Sequence, residues 1–369
     1  MTNSGYWIER KSARGYPYRV WRCKRVPKID QQFLDCSIYL YESKEAAKAG
    51  QKFGGSGCLV CVGSQPIWDS VKRVALSFPP HVYAVSNAHV ARQYPIIRLN
   101  TVAGDTDILE PDRNQWIQHP DGDDLMVAPL DLPPHKYGYA AISSESFVCR
   151  DDTVTSVGAG DDTFMVGRFI NHAGTQRNTP SLRFGSIAML PFEKVKLGNH
   201  MQEAFLVEMR SISGFSGSPV FVYRPTAAEI EIPPNDYDSA GVPITRFALT
   251  VEDLMGEIEF LGIDCGHVPK FERVVNGAGT PHPQGWRIDT NTGMAVVIPA
   301  WRLMDLLNTP RLVMQRKEKD EQHKREQEQE ETISLDVEKP EAFTKESYQD
   351  ALRRASRKVS ESQSKDSDK

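Results

Sequence analysis

The stretch Ser211-Ile212-Ser213-Gly214-Phe215-Ser216-Gly217-Ser218-Pro219 runs straight into the apolar, β-prone Val220-Phe221-Val222. Glycines on both sides of Phe215-Ser216 allow backbone dihedrals closed to other residues, so a small hydroxyl is held exposed while neighbouring amide N–H groups point one way. Acyl transfer needs that combination: an oxygen nucleophile at a carbonyl carbon, and two preorganised donors about 2.7–3.1 Å from the oxyanion that forms. Gly/Ser-rich turns before strands are common and most are only turns. The chemistry therefore depends on a general base and a carboxylate to orient it.

Both lie upstream. Val82-Tyr83-Ala84-Val85-Ser86-Asn87-Ala88-His89-Val90 is an apolar strand ending in small residues and a His, and Asp123-Asp124-Leu125-Met126-Val127-Ala128-Pro129-Leu130 opens another strand on an Asp pair. Alone, each has an ordinary reading, as a surface or core His and as turn carboxylates. Together, in the order His, Asp, Ser, they resemble the trypsin-like serine proteases. The turn resembles that family's Gly-x-Ser-Gly-x-Pro signature, and Asn87-Ala88-His89-Val90 resembles the His segment of its HtrA/DegP-like bacterial branch. It is not the nucleophile elbow of α/β-hydrolases, which has Gly where this chain has Ser218. His89 and Asp124 are 35 residues apart and Asp124 and Ser216 are 92 apart, spacings that suit a triad shared by two barrels. Asp124 is preferred over Asp121 and Asp123 because it abuts the apolar run.

Further segments extend the likeness over residues 35 to 308. Gly54-Gly55-Ser56-Gly57 is similar to the Gly-Ser-Gly strand that precedes the His strand. Phe260 to Gly266 is similar to the strand walling the primary specificity pocket, and Gly293 to Ala300 to the last strand. The resemblance implies an all-β fold of two tandem six-stranded antiparallel β-barrels, a short C-terminal helix and a charged tail. It implies a serine endopeptidase with His89, Asp124 and Ser216 as the triad and the N–H groups of Gly214 and Ser216 as the oxyanion hole. The pocket candidates are Arg210, Asp264, Cys265 and Gly266. An unpaired Asp264 would favour Lys or Arg at the cleaved position and an unpaired Arg210 acidic residues. The favoured case pairs the two charges and selects small or apolar residues, since an unpartnered buried charge is costly. Phe215 stands where members activated by cleavage carry an Asp, so activity without zymogen cleavage is expected. No PDZ-like segment follows. The alternative from another class is a catalytically silent fold of this type that binds peptides or proteins.

The elements that must position these residues fit 369 residues, enough for about two domains. We read 1–30 as a basic N-terminal arm and 31–313 as the protease domain. Within it, barrel one runs about 31–148, barrel two about 149–300 and the helix 300–308. Residues 314–369 are a charged tail, helical or disordered, and the expected seat of any regulatory protein partner. Residues 33–41 read as the first strand, 224–256 as a Pro- and acid-rich insertion able to cover the cleft, and 267–292 as a long loop. A net charge of −5 gives nucleic acid no electrostatic footing as the main partner. Aromatics interleave with basic residues in the N-terminal arm, but an arm packed along the first barrel is the preferred reading there. The chain has no 18-residue apolar run and no signal-peptide pattern at its N-terminus, so no membrane span and a cytoplasmic location are expected. Cys58 and Cys61 lie three apart in a strand and face opposite sides, which argues against a zinc knuckle. No metal or cofactor is expected, and the substrate is a protein or peptide.

Overall fold

The computed structural model describes residues 5–11, 17–23, 29–51, 53–63, 67–69, 74–76, 80–133, 135–168, 174, 177–197, 200–224 and 257–337. Contacts divide the chain into two compact units, Met1–Leu312 and Val313–Lys369. At the N-terminus β1 (Gly5–Lys11) and β2 (Pro17–Cys23) form an antiparallel hairpin in which Gly5 faces Cys23.

The first lobe is an eight-stranded sheet. It contains β3 (Ser37–Tyr41), β4 (Phe53–Val62), β7 (His81–Ser86), β8 (Ile96–Asn100), β9 (Thr106–Leu109), β10 (Ile117–Gln118), β11 (Met126–Leu130) and β12 (Ile142–Ser143). A separate small hairpin, β5 (Ile67–Asp69) with β6 (Val74–Leu76), lies between β4 and β7 in sequence. The spatial order is β10-β11-β7-β4-β3-β8-β9, with β12 beside β4 in parallel. β3 and β7 are buried along their whole length, the mark of central strands covered on both faces. One face packs Ile38, Leu40, Leu59, Ala84, Val90, Ile97 and Trp116 into a core of its own.

The second lobe closes. β13 (Asp162–Gly167), β14 (Ser181–Met189), β17 (Phe205–Glu208), β18 (Pro219–Arg224), β19 (Glu257–Arg273) and β20 (Arg287–Pro299) form a six-stranded barrel in the order β13-β14-β17-β20-β19-β18. All its pairings are antiparallel, and Met165, Phe205, Val207, Phe215, Val220, Leu261 and Val297 fill its interior. A small hairpin, β15 (Lys194–Leu197) and β16 (His200–Glu203), precedes β17. A third cluster joins the lobes: Cys58, Val60, Tyr83 and Val127 of the first meet Phe164, Phe221, Phe260 and Ile298 of the second. This is the trypsin-like all-β architecture.

Helices are few. α1 (Gln31–Asp35) and α2 (Lys44–Ala49) flank β3, with Ser43 capping α2 through the Ala46 N–H at 3.2 Å. α3 (Ala88–Ala91) follows β7, and α4 (Asp152–Thr155) precedes the barrel. α5 (Ala300–Leu307) buries Ala300, Leu303, Leu306 and Leu307 on the inter-lobe core while Arg302 and Asp305 lie on its other side. That i, i+3, i+7 spacing is an amphipathic stripe. α6 (Pro310–Val337) opens on a proline, whose missing N–H is no loss at a first helical position. Among the described residues no helix is long and apolar enough to cross a membrane.

Three expectations change. The closed six-stranded antiparallel barrel is found in the second lobe, whereas the first is an eight-stranded sheet in which β12 joins β4 in parallel. The apolar run from Phe33 begins in α1, and the strand starts only at Ser37. Phe33 instead sets its ring edge-on against Phe164 and Phe221 at 5.7 and 5.1 Å, across the lobe boundary. Residues 267–292 are no open loop: β19 and β20 continue as a paired ribbon to Arg273↔Arg287. Bulges at Asp264/Gly266 and His267/Pro269 absorb the irregular residues, and Thr290 and Thr292 hydroxyls donate to the carbonyls of Lys270 and Val268 at 2.8 Å. The insertion lies outside the described residues from 225 to 256, as do the side chains of the N-terminal arm and residues 338–369.

Candidate active site

β7 ends at Ser86, Asn87 stands at the N-cap position of α3, and that one turn of helix presents His89, half exposed. β11 is preceded by Asp123-Asp124, and pairing of Met126 with Ser86 brings the two strand ends together. The carboxylate of Asp124 meets His89 twice: Oδ2 lies 2.6 Å from Nδ1, and Oδ1 accepts the His89 backbone N–H at 2.9 Å. Asp124 is itself held by its main chain. Its carbonyl accepts Asn87 Nδ2 at 3.0 Å, and its N–H donates to Gln202 Oε1 at 3.3 Å. Asn87 and Gln202 are both buried. Asp123 points elsewhere, to Arg302 Nε at 2.6 Å.

Ser216 is half-buried and sits on a ledge made by Gly55 and Ser56 of β4. Its carbonyl accepts the Ser56 N–H at 2.9 Å. A Cβ at Gly55 would lie 2.9 Å from both that carbonyl oxygen and Val90 Cγ1, so the Ser216 turn and the residue after His89 meet over one glycine. Gly217 is pressed in the same way: its φ is +89°, and a Cβ would stand 2.0 Å from Ser56 O. The Gly-Gly-Ser-Gly run is thus the floor on which both site segments rest.

The turn itself is of type II. Phe215 N–H donates to Ile212 O at 3.1 Å with Gly214, the third residue, at φ +96°, which is the position that requires a positive φ. The Gly214 carbonyl accepts Ser56 Oγ at 2.8 Å, while Ser56 Oγ accepts the Arg168 N–H at 3.0 Å. With its carbonyl held by the floor, Gly214 keeps its own N–H free, as Ser216 does, of any hydrogen-bond partner among the described residues. Phe215 is fully buried in the barrel core, and Arg183 Cζ lies 4.5 Å over its ring. Burying such a ring is worth about 1.5–3 kcal/mol, so apolar packing anchors the turn where an ion pair is impossible.

The pocket candidates separate. Asp264 is fully buried behind the turn: its carbonyl accepts the Gly217 N–H at 2.8 Å, and its own N–H donates to Ser218 O at 2.9 Å. Its carboxyl accepts the Ser211 hydroxyl at 2.8 Å, and burial pushes its pKa up to about 8, with Ser211 and then the Gly266 backbone opposing. The expected pair with Arg210 does not form. Arg210 is exposed, on the near side of Ser211, and helps to hold the Arg183 guanidinium below its usual range, after burial. The short Ser hydroxyl reaches the buried oxygen, while the long arginine stays solvated. Cys265 stands at the bulge beside Asp264; its thiol is raised by burial and then by Asp264 and Asp124. Gly266, at φ +130° with open space around it, carries the strand onward. Cys36, Cys58, Cys61, Cys149 and Cys265 are free, and among the described residues no cluster of His, Cys, Asp or Glu is arranged to hold a metal ion.

Sequence reading missed Ser56, Gln202 and Arg302. Only Ser56 left a trace, as the Ser of the Gly-Ser-Gly run.

The two-lobed all-β fold is that of the trypsin-like serine proteases; among the described residues the His89 ring is bonded to Asp124, and no hydrogen bond joins it to Ser216. No family model matches the chain, and no curated protein matches it. Solved structures similar to it include the MamO protease domain from Magnetospirillum magneticum, 12% identical over 76% of this chain and 99% of that one, with a TM-score of 0.40. The HtrA-type protease AlgW with a tripeptide is 15% identical over 75% of this chain and 61% of its own, at 0.36. Rv3671c from M. tuberculosis, in an inactive form, is 11% identical over 77% and 96%, at 0.35. At these identities and scores the functional reading rests on the contacts of this chain itself.

Proposed function

We propose that this chain is a serine endopeptidase that cleaves protein or peptide substrates through an acyl-enzyme. The observation that carries it is the double contact of Asp124 with His89, whose neighbour Val90 meets the Ser216 carbonyl over Gly55. With Nδ1 engaged by Asp124, Nε2 is the ring nitrogen left to act as base. Ser216 Oγ attacks the scissile carbonyl carbon as its proton passes to Nε2, and Asp124 stabilises the imidazolium. The oxyanion is received by the free N–H groups of Gly214 and Ser216, one such donor being worth about 2.7–4 kcal/mol. The C–N bond then breaks, the amine leaves with the proton from Nε2, and water enters by the same base to release the acid and restore Ser216. An unfolded protein such as casein, incubated with the chain and followed by mass spectrometry, tests this. Peptide products from the wild type and none from Ser216→Ala are expected; equal products from both, or none from either, would remove the proposal.

A further inference from the structure

We propose that Arg302, on α5 and 178 residues from Asp124 in sequence, is a positioning residue for catalysis that acts by holding the turn from which Asp124 projects. The role rests on the catalytic reading above and names a part that no motif of the sequence marks.

Arg302 is only 14% exposed, and its guanidinium grips that turn at two points: Nε to Asp123 Oδ2 at 2.6 Å and Nη2 to Asp121 Oδ2 at 2.8 Å. Its remaining Nη1 reaches Asp305 of its own helix at 3.2 Å. The turn has a second internal tie, since Asp121 N–H donates to Nδ1 of the buried His119 at 3.2 Å. Asp123 is buried beside His119 and directly precedes Asp124, so the grip reaches within one peptide of the carboxylate that orients His89.

The neighbouring residue of α5 supports the other side. Trp301 Nε1 donates to Glu203 Oε1 at 2.9 Å, and Arg150 pairs with the same oxygen at 2.9 Å. Glu203 adjoins Gln202, whose side chain receives the Asp124 N–H at 3.3 Å and whose Nε2 donates to Glu203 O at 3.2 Å. Two successive residues of one helix therefore brace Asp124 from both flanks. The base of that helix is rigid, with Leu303, Leu306 and Leu307 fully buried. A planar arginine fork is suited to such a brace, because it fixes two carboxylates in direction as well as distance, which a lysine point charge does not.

The test is a double-mutant cycle read as the second-order rate of acylation by a fluorophosphonate, with the melting temperature measured alongside. Arg302→Met is expected to lower the rate about 10–100-fold, the cost of a misplaced catalytic group. In an Asp124→Asn background the same change should lower it less than about twofold, because the group that Arg302 positions is already lost. Arg302→Lys should recover part of the rate. If Arg302→Met does not fold, the same cycle with Arg302→Lys decides the matter. An equal loss in both backgrounds, or a full rate in a folded variant, overturns the positioning role while leaving the triad standing. A wild type that never acylates at Ser216 removes the catalytic reading itself.

Discussion

Asp264→Asn tests the buried acid behind the Ser216 turn. Its carboxyl is raised from 3.8 to about 8 by burial, and only neutral donors, the Ser211 hydroxyl first, oppose that rise. The unfolded chain ionises at the normal value, so between about pH 4 and pH 8 the folded state holds one proton more than the unfolded state, and stability falls as pH rises. The slope is about 1.4 kcal/mol per pH unit, which amounts to an upper bound of about 4 kcal/mol at pH 7 and about 5–6 above pH 8. Asn keeps an oxygen for Ser211 but adds donors on the side of the other carboxyl oxygen, so its constant offset is unfavourable by about 1–3 kcal/mol. The slope is therefore the readout. Urea unfolding at fixed pH values from 4.5 to 9 should show the variant gaining on the wild type up to about pH 8 and running parallel above it. Curves that stay parallel from pH 5 to pH 8 would show that Asp264 ionises normally, and the reading of a neutral buried acid would be refuted.

Asp124→Asn should leave the fold intact and lower acylation by about 10³–10⁴-fold, since the base keeps its place but loses its orienter; an equal loss from Asp123→Asn would mean that the wrong carboxylate is assigned. Gly217→Ala puts a side chain at φ +89° with its Cβ 2.0 Å from Ser56 O, so it should lower the melting temperature and cut acylation more than about tenfold, backbone strain alone costing about 1–2 kcal/mol. A variant with unchanged melting and rate would show that the ledge does not set the turn. At pH 7 a peptide-library cleavage profile should lack a Lys or Arg preference at the cleaved position, because Asp264 is fully buried behind the turn and mostly protonated and Arg210 is solvated; a strong basic preference would place an ionised Asp264 in the pocket.

The parts of the site legible in the sequence were those written in contiguous residues. An apolar strand ending in Asn87-Ala88-His89, an Asp at a strand start and a glycine-bracketed Ser each carry their geometry locally, and the structure joins His89 to Asp124. The braces were not legible, because Ser56, Gln202 and Arg302 act on partners 158, 78 and 179 residues away and are ordinary polar residues in their own neighbourhoods. The β19–β20 ribbon was hidden by composition: Gly277, Gly279, Pro281, Pro283 and Gly285 form the turn at its tip and, with Pro269, made the flanking arms read as loop, whereas bulges and threonine latches hold those arms paired. The run from Phe33 was too short for its period to separate strand from helix turn. The partner of Asp264 turned on reach, which depends on where Ser211 and Arg210 stand relative to a buried strand.

The most direct test of the catalytic reading is the site of covalent modification. The purified chain, treated with a fluorophosphonate and digested, should carry the adduct on Ser216 alone at one equivalent per chain. Ser216→Ala should carry none, and His89→Ala should react at least about 10³-fold more slowly. An unmodified wild type with its fold intact, or an adduct on Ser213 or Ser218 instead, would contradict it.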